Sequence, residues 1–345
     1  MMDKILSEYR RPLGDFEVVD FKTDAPIDTL RGQVDVDVPI DLHWTWSYGS
    51  EMEEFRRLYE KGKLGQWNAL TDLDWSVPFS PDEWQINPEA SMLAQILKMM
   101  GKDESTQKAA AFDELGYNLS QLLHGEQAAL QLCGQLTNVC TEMDQKFYAA
   151  SQTIDEARHI EVFAKFLTEK VGTIYPIGGG LKTLLDILLQ AKGMQRKVLG
   201  MQTLFEGMAV GIMEMMRSES RNPLLSTMLQ RVGQDEARHA AFGVLNMRRI
   251  VQDASASYME EMEDWAFGIL ETLNADQQLE MLRTIGPKYD IDAEAVVAIT
   301  TTLPNFAEIN SPIYMHTVVP NLRNLGLITS RTEDHWRRLG MIYDA

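Results

Sequence analysis

The chain has 345 residues, 45% of them hydrophobic, enough for a sizeable core without disulfide staples. Acidic residues outnumber basic ones, 51 to 32, and the net charge of −19 excludes a nucleic-acid backbone or an anionic membrane surface as partner. The opening "MMDKILSEYRRPLGDFEVVD" lacks the apolar stretch of a signal peptide, and no run of about 18 apolar residues follows, so a cytoplasmic protein with no membrane partner is expected.

Residues 1–50 mix Pro, Gly and Asp with short β-branched runs and read as an extended arm with a strand pair. "EMEEFRRLYEKGKLGQWNAL" (51–70) shows helical spacing at Phe55, Leu58 and Tyr59 and stops near "TDLDWSVPFSP". Trp44, Trp46, Trp67 and Trp75 read as core or subunit-contact packing. From about residue 89 the pattern is helical, with long stretches at 105–139, 142–171, 181–219 and 223–252. Thr141 opens a Thr-x-x-acid pattern suited to a cap, "YPIGGG" (175–180) is a stop, and Asn222-Pro223 supplies a cap and a first helical residue. Cys133 and Cys140, seven apart on one predicted helix, are too far apart to bond and read as small core residues. Residues 253–345 continue as shorter helices interrupted at Gly286-Pro287, Pro304, Pro312 and Pro320. With no linker in sight, the expectation is one domain. It has an arm and helix to residue 88, an antiparallel bundle over 89–252, and additional helices over 253–345.

The word Asp-Glu-Ala-Arg-His occurs twice, from Asp155 and from Asp235, 80 positions apart. In each copy Glu and His are three apart and share one helix face: Glu156 with His159, and Glu236 with His239. Thirty residues before each Glu stands another, Glu126 and Glu206, and the midpoints, Thr141 and Arg221, fall in the proposed breaks. A helix that runs up, turns and returns therefore brings each second Glu level with the first. Two such hairpins face to face converge four carboxylates and two imidazoles, a donor set for two divalent ions of the iron or manganese kind. Apolar neighbours such as Leu123, Ala129, Phe205 and Met208 place these carboxylates indoors, where metal offsets the cost of burying charge. Asp155 and Asp235 are placed to accept the free imidazole N–H of a ligand His, with Arg158 and Arg238 pairing to them.

These repeated Glu-x29-Glu-x-x-His units, with their Asp-Glu-x-Arg-His wording, resemble the non-haem di-iron carboxylate oxygenases. That superfamily includes bacterial multicomponent monooxygenase hydroxylases, acyl-carrier-protein desaturases and arylamine N-oxygenases. The resemblance covers about 105–252, and "LYEKGKLGQWNALTDLDW" (58–75) also resembles a segment preceding the bundle in monooxygenase-like members. It implies an all-α, ferritin-like four-helix bundle with Glu126, Glu156, His159, Glu206, Glu236 and His239 as ligands. The implied cofactor is two Fe ions, with Mn/Fe also suited. The implied activity is O2-dependent hydroxylation, desaturation or N-oxygenation of a small organic substrate, fed by a reductase or ferredoxin. A homodimer is expected by the same resemblance.

Departures accompany it. Phe163 stands where ribonucleotide reductase small subunits carry a radical Tyr, Val210 where the hydroxylases place a Thr, and Val232 where the arylamine N-oxygenases add a third His. Small residues near Glu206 and at Gly243 suggest a substrate cavity, with Phe163 and Val210 at its edge; close helix packing explains the same small residues equally well. The competing functional readings are a radical-generating subunit like that of ribonucleotide reductase, iron storage, and a non-catalytic iron-binding bundle.

Overall fold

The computed structural model describes residues 38, 40–274, 277–300 and 313–342. Most of the expected arm, and the breaks at Pro304 and Pro312, lie outside the described residues. Among the described residues there is no strand, only an isolated bridge between Ile86 and Ser220, and the fold is all-α.

Helix α1 (Glu53–Leu64) buries Phe55 and Leu58. Helix α2 (Met92–Met99) starts at Ser91, whose hydroxyl accepts the Ala94 N–H. Helix α3 (Glu104–Val139) runs 36 residues from an Asp103 cap. Helix α4 (Met143–Phe166) is capped by Glu142 in a reciprocal box with Gln145, one residue later than the Thr141 cap expected. The Thr141 carbonyl instead accepts the Thr45 hydroxyl. A π-helical turn, Leu167–Val171, extends α4 to Gly172, whose φ of 87° requires glycine.

The third predicted stretch is not continuous. It divides into α5 (Gly179–Gln190), α6 (Gly193–Lys197), a π-helix (Val198–Phe205) and α7 (Glu206–Glu219). Gly193, at φ 77°, turns the chain where sequence periodicity alone runs through. Helix α8 (Pro223–Gln252) begins at Asn222, whose side chain accepts the Leu224 and Leu225 N–H groups, with Pro223 in the first position. Beyond it lie α9 (Ala256–Asn274), α10 (Gln277–Ile285), α11 (Ala293–Thr300), α12 (Val319–Asn324) and α13 (Glu333–Arg338). Pro320 sits in the first turn of α12, which continues directly from a π-helical turn, Tyr314–Val318, so the helical run passes through where an interruption was expected.

Helices α3, α4, α7 and α8 form the bundle. Gln145 at the start of α4 donates to Asn246 near the end of α8 at 2.6 Å, so these two run antiparallel. Two apolar layers fill the interior. One gathers Leu132, Tyr148, Leu204 and Phe242; the other gathers Leu119, Phe163, Leu229 and Val232. Each of α3, α4 and α8 contributes to one layer, then to a short polar stretch, then to the other layer. Fully burying one Leu or Phe contributes about 1.5–3 kcal/mol, so the layers hold the polar stretches between them in register.

Of the four tryptophans read as packing, Trp44 and Trp46 stack on one another with 73% and 75% exposure, outside any core. Trp67 is buried and Trp75 half-buried.

Candidate metal centre

The polar layer consists of Glu126 from α3, Glu156 and His159 from α4, Glu206 from α7, and Glu236 and His239 from α8. All six are buried, and Glu156, Glu236 and both histidines have no exposed surface. Two groups within them could each hold a metal ion: Glu126, Glu156, His159 and Glu236; and Glu156, Glu206 and His239. Glu156 belongs to both, so the two groups are contiguous, and together they would hold two ions of the iron or manganese kind.

The Nδ1 atoms of both imidazoles face the carboxylates. His159 Nδ1 lies 3.0 Å from Glu236 and 3.2 Å from Glu126. His239 Nδ1 lies 3.1 Å from Glu236 and 3.2 Å from Glu156. Glu156 Oε2 is buried without a hydrogen-bond partner among the described residues, and Glu236 Oε1 faces the His159 Nδ1. Such lone pairs are costly indoors, and their convergence beside imidazole nitrogens fits metal of the iron or manganese class. Burial, then the neighbouring Glu236 charge, push Glu126 well above the usual carboxylate range. Glu206 rises for the same causes in the same order. Burial opposes the charge on His239, but Glu156 and Glu236 raise it to about 10. His159 is raised likewise against its burial, chiefly by Glu126.

The far side of each imidazole is engaged by the opposite repeat. His159 Nε2 is 3.1 Å from Asp235, and His239 Nε2 is 3.3 Å from Asp155. Arg158 donates to Asp155 at 2.6 Å and to Asp235 at 2.8 Å. Arg238 donates to Asp235 and, at 3.4 Å, to Asp155. Two guanidinium and two carboxylate charges thus cancel in a closed buried ring behind the histidines.

The segment after α1 closes this ring, and the sequence did not single out its residues for that part. Gln66 donates to Asp155 at 2.8 Å and accepts from Arg158 at 2.6 Å. The Trp67 indole N–H donates to Asp235 at 2.8 Å, and the Arg158 guanidinium lies 5.0 Å from the ring centroid. The available signal was the resemblance over residues 58–75, which contains both.

The room expected at Gly243 is filled. A Cβ there would lie 2.6 Å from the Gln202 carbonyl carbon and 2.8 Å from the Thr203 nitrogen, so this glycine serves close packing of α8 on the π-helix. Phe163 is wholly buried in the second apolar layer. Val210 lines a half-open groove of about 390 Å³ along α7 and α8, shared with Gly233, Ala237, Arg217 and His316, and none of the six converging residues is in its lining. Val232 is buried in the second apolar layer, so α8 offers no imidazole at that turn.

Residues 50–311 match the family described as "P-aminobenzoate N-oxygenase AurF". No curated protein matches the chain. Among solved structures, an R2-like ligand-binding oxidase with aerobically reconstituted metal cofactor after photoconversion is 17% identical, covering 82% of this chain and 99% of its own, with a TM-score of 0.44. A variant of such an oxidase with anaerobically reconstituted Mn/Fe cofactor is 17% identical, covering 81% and 95%, with a TM-score of 0.45. No membrane-crossing helix, long and apolar enough, occurs among the described residues. The family match spans well over half of the chain and contains all six converging residues, and the chain belongs to the p-aminobenzoate N-oxygenase AurF family of the non-haem di-iron carboxylate oxygenase superfamily.

Proposed function

We propose that this protein is an O2-dependent di-iron oxygenase that oxidises a small organic molecule, with the nitrogen of an aromatic amine the first choice by family precedent. One observation carries the reading: two metal-binding groups share Glu156 inside a buried layer. Glu126, Glu156, His159, Glu206, Glu236 and His239 are the ligands in this reading. The bound pair of iron ions supplies reductive activation of O2. The balance takes two electrons from the substrate and two from an external reductase or ferredoxin, with one oxygen atom going to product and one to water.

The chain's own residues set the conditions. The apolar layers exclude water from the reacting region, which strengthens every electrostatic contact inside it. Asp155 and Asp235 hold the imidazoles with Nδ1 turned inward. The backbone of the π-helix blocks the Gly243 side, so the reading brings substrate in along Val210 and Ala237. Phe163 supplies no phenol for a stored radical at that position, which favours oxygenase over radical-generating subunit.

The test is iron content of the full chain, followed by O2 uptake and product analysis with a panel of aromatic amines, alkyl amines and aliphatic acids in the presence of a chemical reductant. About two irons per chain with substrate-dependent O2 uptake is the expected result. Two irons without any substrate-dependent uptake would overturn the oxygenase reading and favour a storage or structural role.

A further inference from the structure

Beyond the six residues, one buried side chain touches two of them at once. Gln152 lies one helical turn before Glu156 on α4 and has no exposed surface. Its Nε2 donates to Glu156 Oε1 at 2.8 Å and to Glu206 Oε1 at 3.2 Å. Both amide hydrogens are thus committed to two carboxylates from different helices, α4 and α7. Those two carboxylates, with His239, are one of the two groups that could hold an ion. The amide's own Oε1 is left buried without a hydrogen-bond partner among the described residues. A side chain that gives up its acceptor bond to keep both donor bonds is oriented by the carboxylates it tethers.

We propose that Gln152 is a positioning residue for one ion of the pair, the one held by Glu156, Glu206 and His239. This rests on the di-metal reading of the site. A carboxylate oxygen has lone pairs to spare, so Glu156 and Glu206 accept the amide hydrogens and bind an ion at the same time. The effect is selective. Of the other group, Gln152 touches only the shared Glu156, while Glu126, His159 and Glu236 are held independently of it.

Gln202 provides the internal comparison. It too has no exposed surface, it precedes Glu206 by one turn, and its Oε1 likewise lacks a partner among the described residues. Its Nε2 donates to Cys133 Sγ at 3.7 Å, not to a carboxylate. That thiol lies 3.9 Å from Glu156 Oε1, so two glutamines in similar surroundings differ in whether they touch a carboxylate of the site directly or only through a weak thiol contact.

The experiment titrates the metal-free full chain with Mn(II) and follows free ion by its electron paramagnetic resonance signal, for wild type, Gln152→Met and Gln202→Met. Methionine keeps the length of the side chain and removes the donors. Melting of each metal-free variant is recorded alongside. The expected result is two ions in wild type. In Gln152→Met one ion binds about 10–100-fold more weakly while the other stays within about threefold, and Gln202→Met is unchanged. Gln152→Asn, which restores an amide one methylene shorter, should recover part of the loss. Equal weakening of both ions, unchanged binding of both, or the same selective loss in Gln202→Met would each overturn the proposal. A wild type that binds no Mn(II) would instead overturn the di-metal reading itself, so the two failures are told apart by the wild-type titration.

Discussion

Asp155 and His239 lie 84 positions apart in sequence and 3.3 Å apart in the fold. The contact crosses between the two repeats: the aspartate of the first word orients the histidine of the second, and Asp235 does the same for His159. Asp155→Asn removes the charge that makes the His239 imidazole a strong donor to metal. It should weaken the ion that His239 holds about 10–100-fold. Asp235→Asn should weaken the ion held by His159 instead. Ion-by-ion titration of both variants checks the crossed assignment, and loss at the same-repeat histidine would contradict it.

Ion uptake should release protons. His239 is raised to about 10 and His159 is raised as well, so both imidazoles are charged at neutral pH before metal arrives. Metal binds only neutral imidazole, and each proton displaced makes binding stronger as pH rises. Affinity should therefore climb steadily from pH 6 toward 9. A weakly buffered solution should acidify when iron(II) is added anaerobically, and a flat affinity over that range would contradict the electrostatics described.

Gly243→Ala should destabilise the fold by about 1–3 kcal/mol, because its Cβ meets the π-helix backbone at Gln202 and Thr203. Backbone cannot step aside as a side chain can. Denaturant unfolding measures the loss. A neutral result would show that the π-helix moves freely at this point.

Val210→Trp should fill the groove along α7 and α8 without touching a metal-facing atom. Iron content should stay near that of wild type while turnover of any confirmed substrate falls at least about tenfold. Unchanged turnover would move the substrate path elsewhere.

Lys197 is buried, donating to Gln135 and to the Leu189 carbonyl, and burial lowers its pKa to about 8. Between pH 8 and the ordinary lysine range the unfolded chain binds the extra proton, so this group makes stability rise with pH there. Below pH 8 both states are protonated and the contribution is flat and unfavourable. Relative to Lys197→Met, wild type should gain on the order of 2 kcal/mol between pH 8 and 10. Urea unfolding at both pH values reads the difference in slope.

The six converging residues were legible because helix geometry is periodic. A three-residue step puts Glu and His on one face, and a thirty-residue return puts two Glu at one level. Gln66 and Trp67 were not singled out as partners of the aspartates because they follow α1 in irregular chain, where spacing carries no information about direction. Gly243 showed only that something must come close, not whether that something is a substrate or a backbone. The division of the third stretch turned on Gly193 and a positive φ, which hydrophobic periodicity does not register. Helices α3, α4 and α8, which carry five of the six converging residues, kept their expected extents to within a few residues.

The crossed aspartates bear on how such a chain is assembled. Each helical hairpin carries two glutamates and a histidine, yet the group that steadies that histidine stands on the other hairpin. Neither half is a finished unit, and a half expressed alone would present an imidazole free to take either tautomer. Two identical hairpins meeting about a twofold axis would already satisfy both, each lending its aspartate to its neighbour. The doubled word in this single chain is what fusion of such a pair would leave behind.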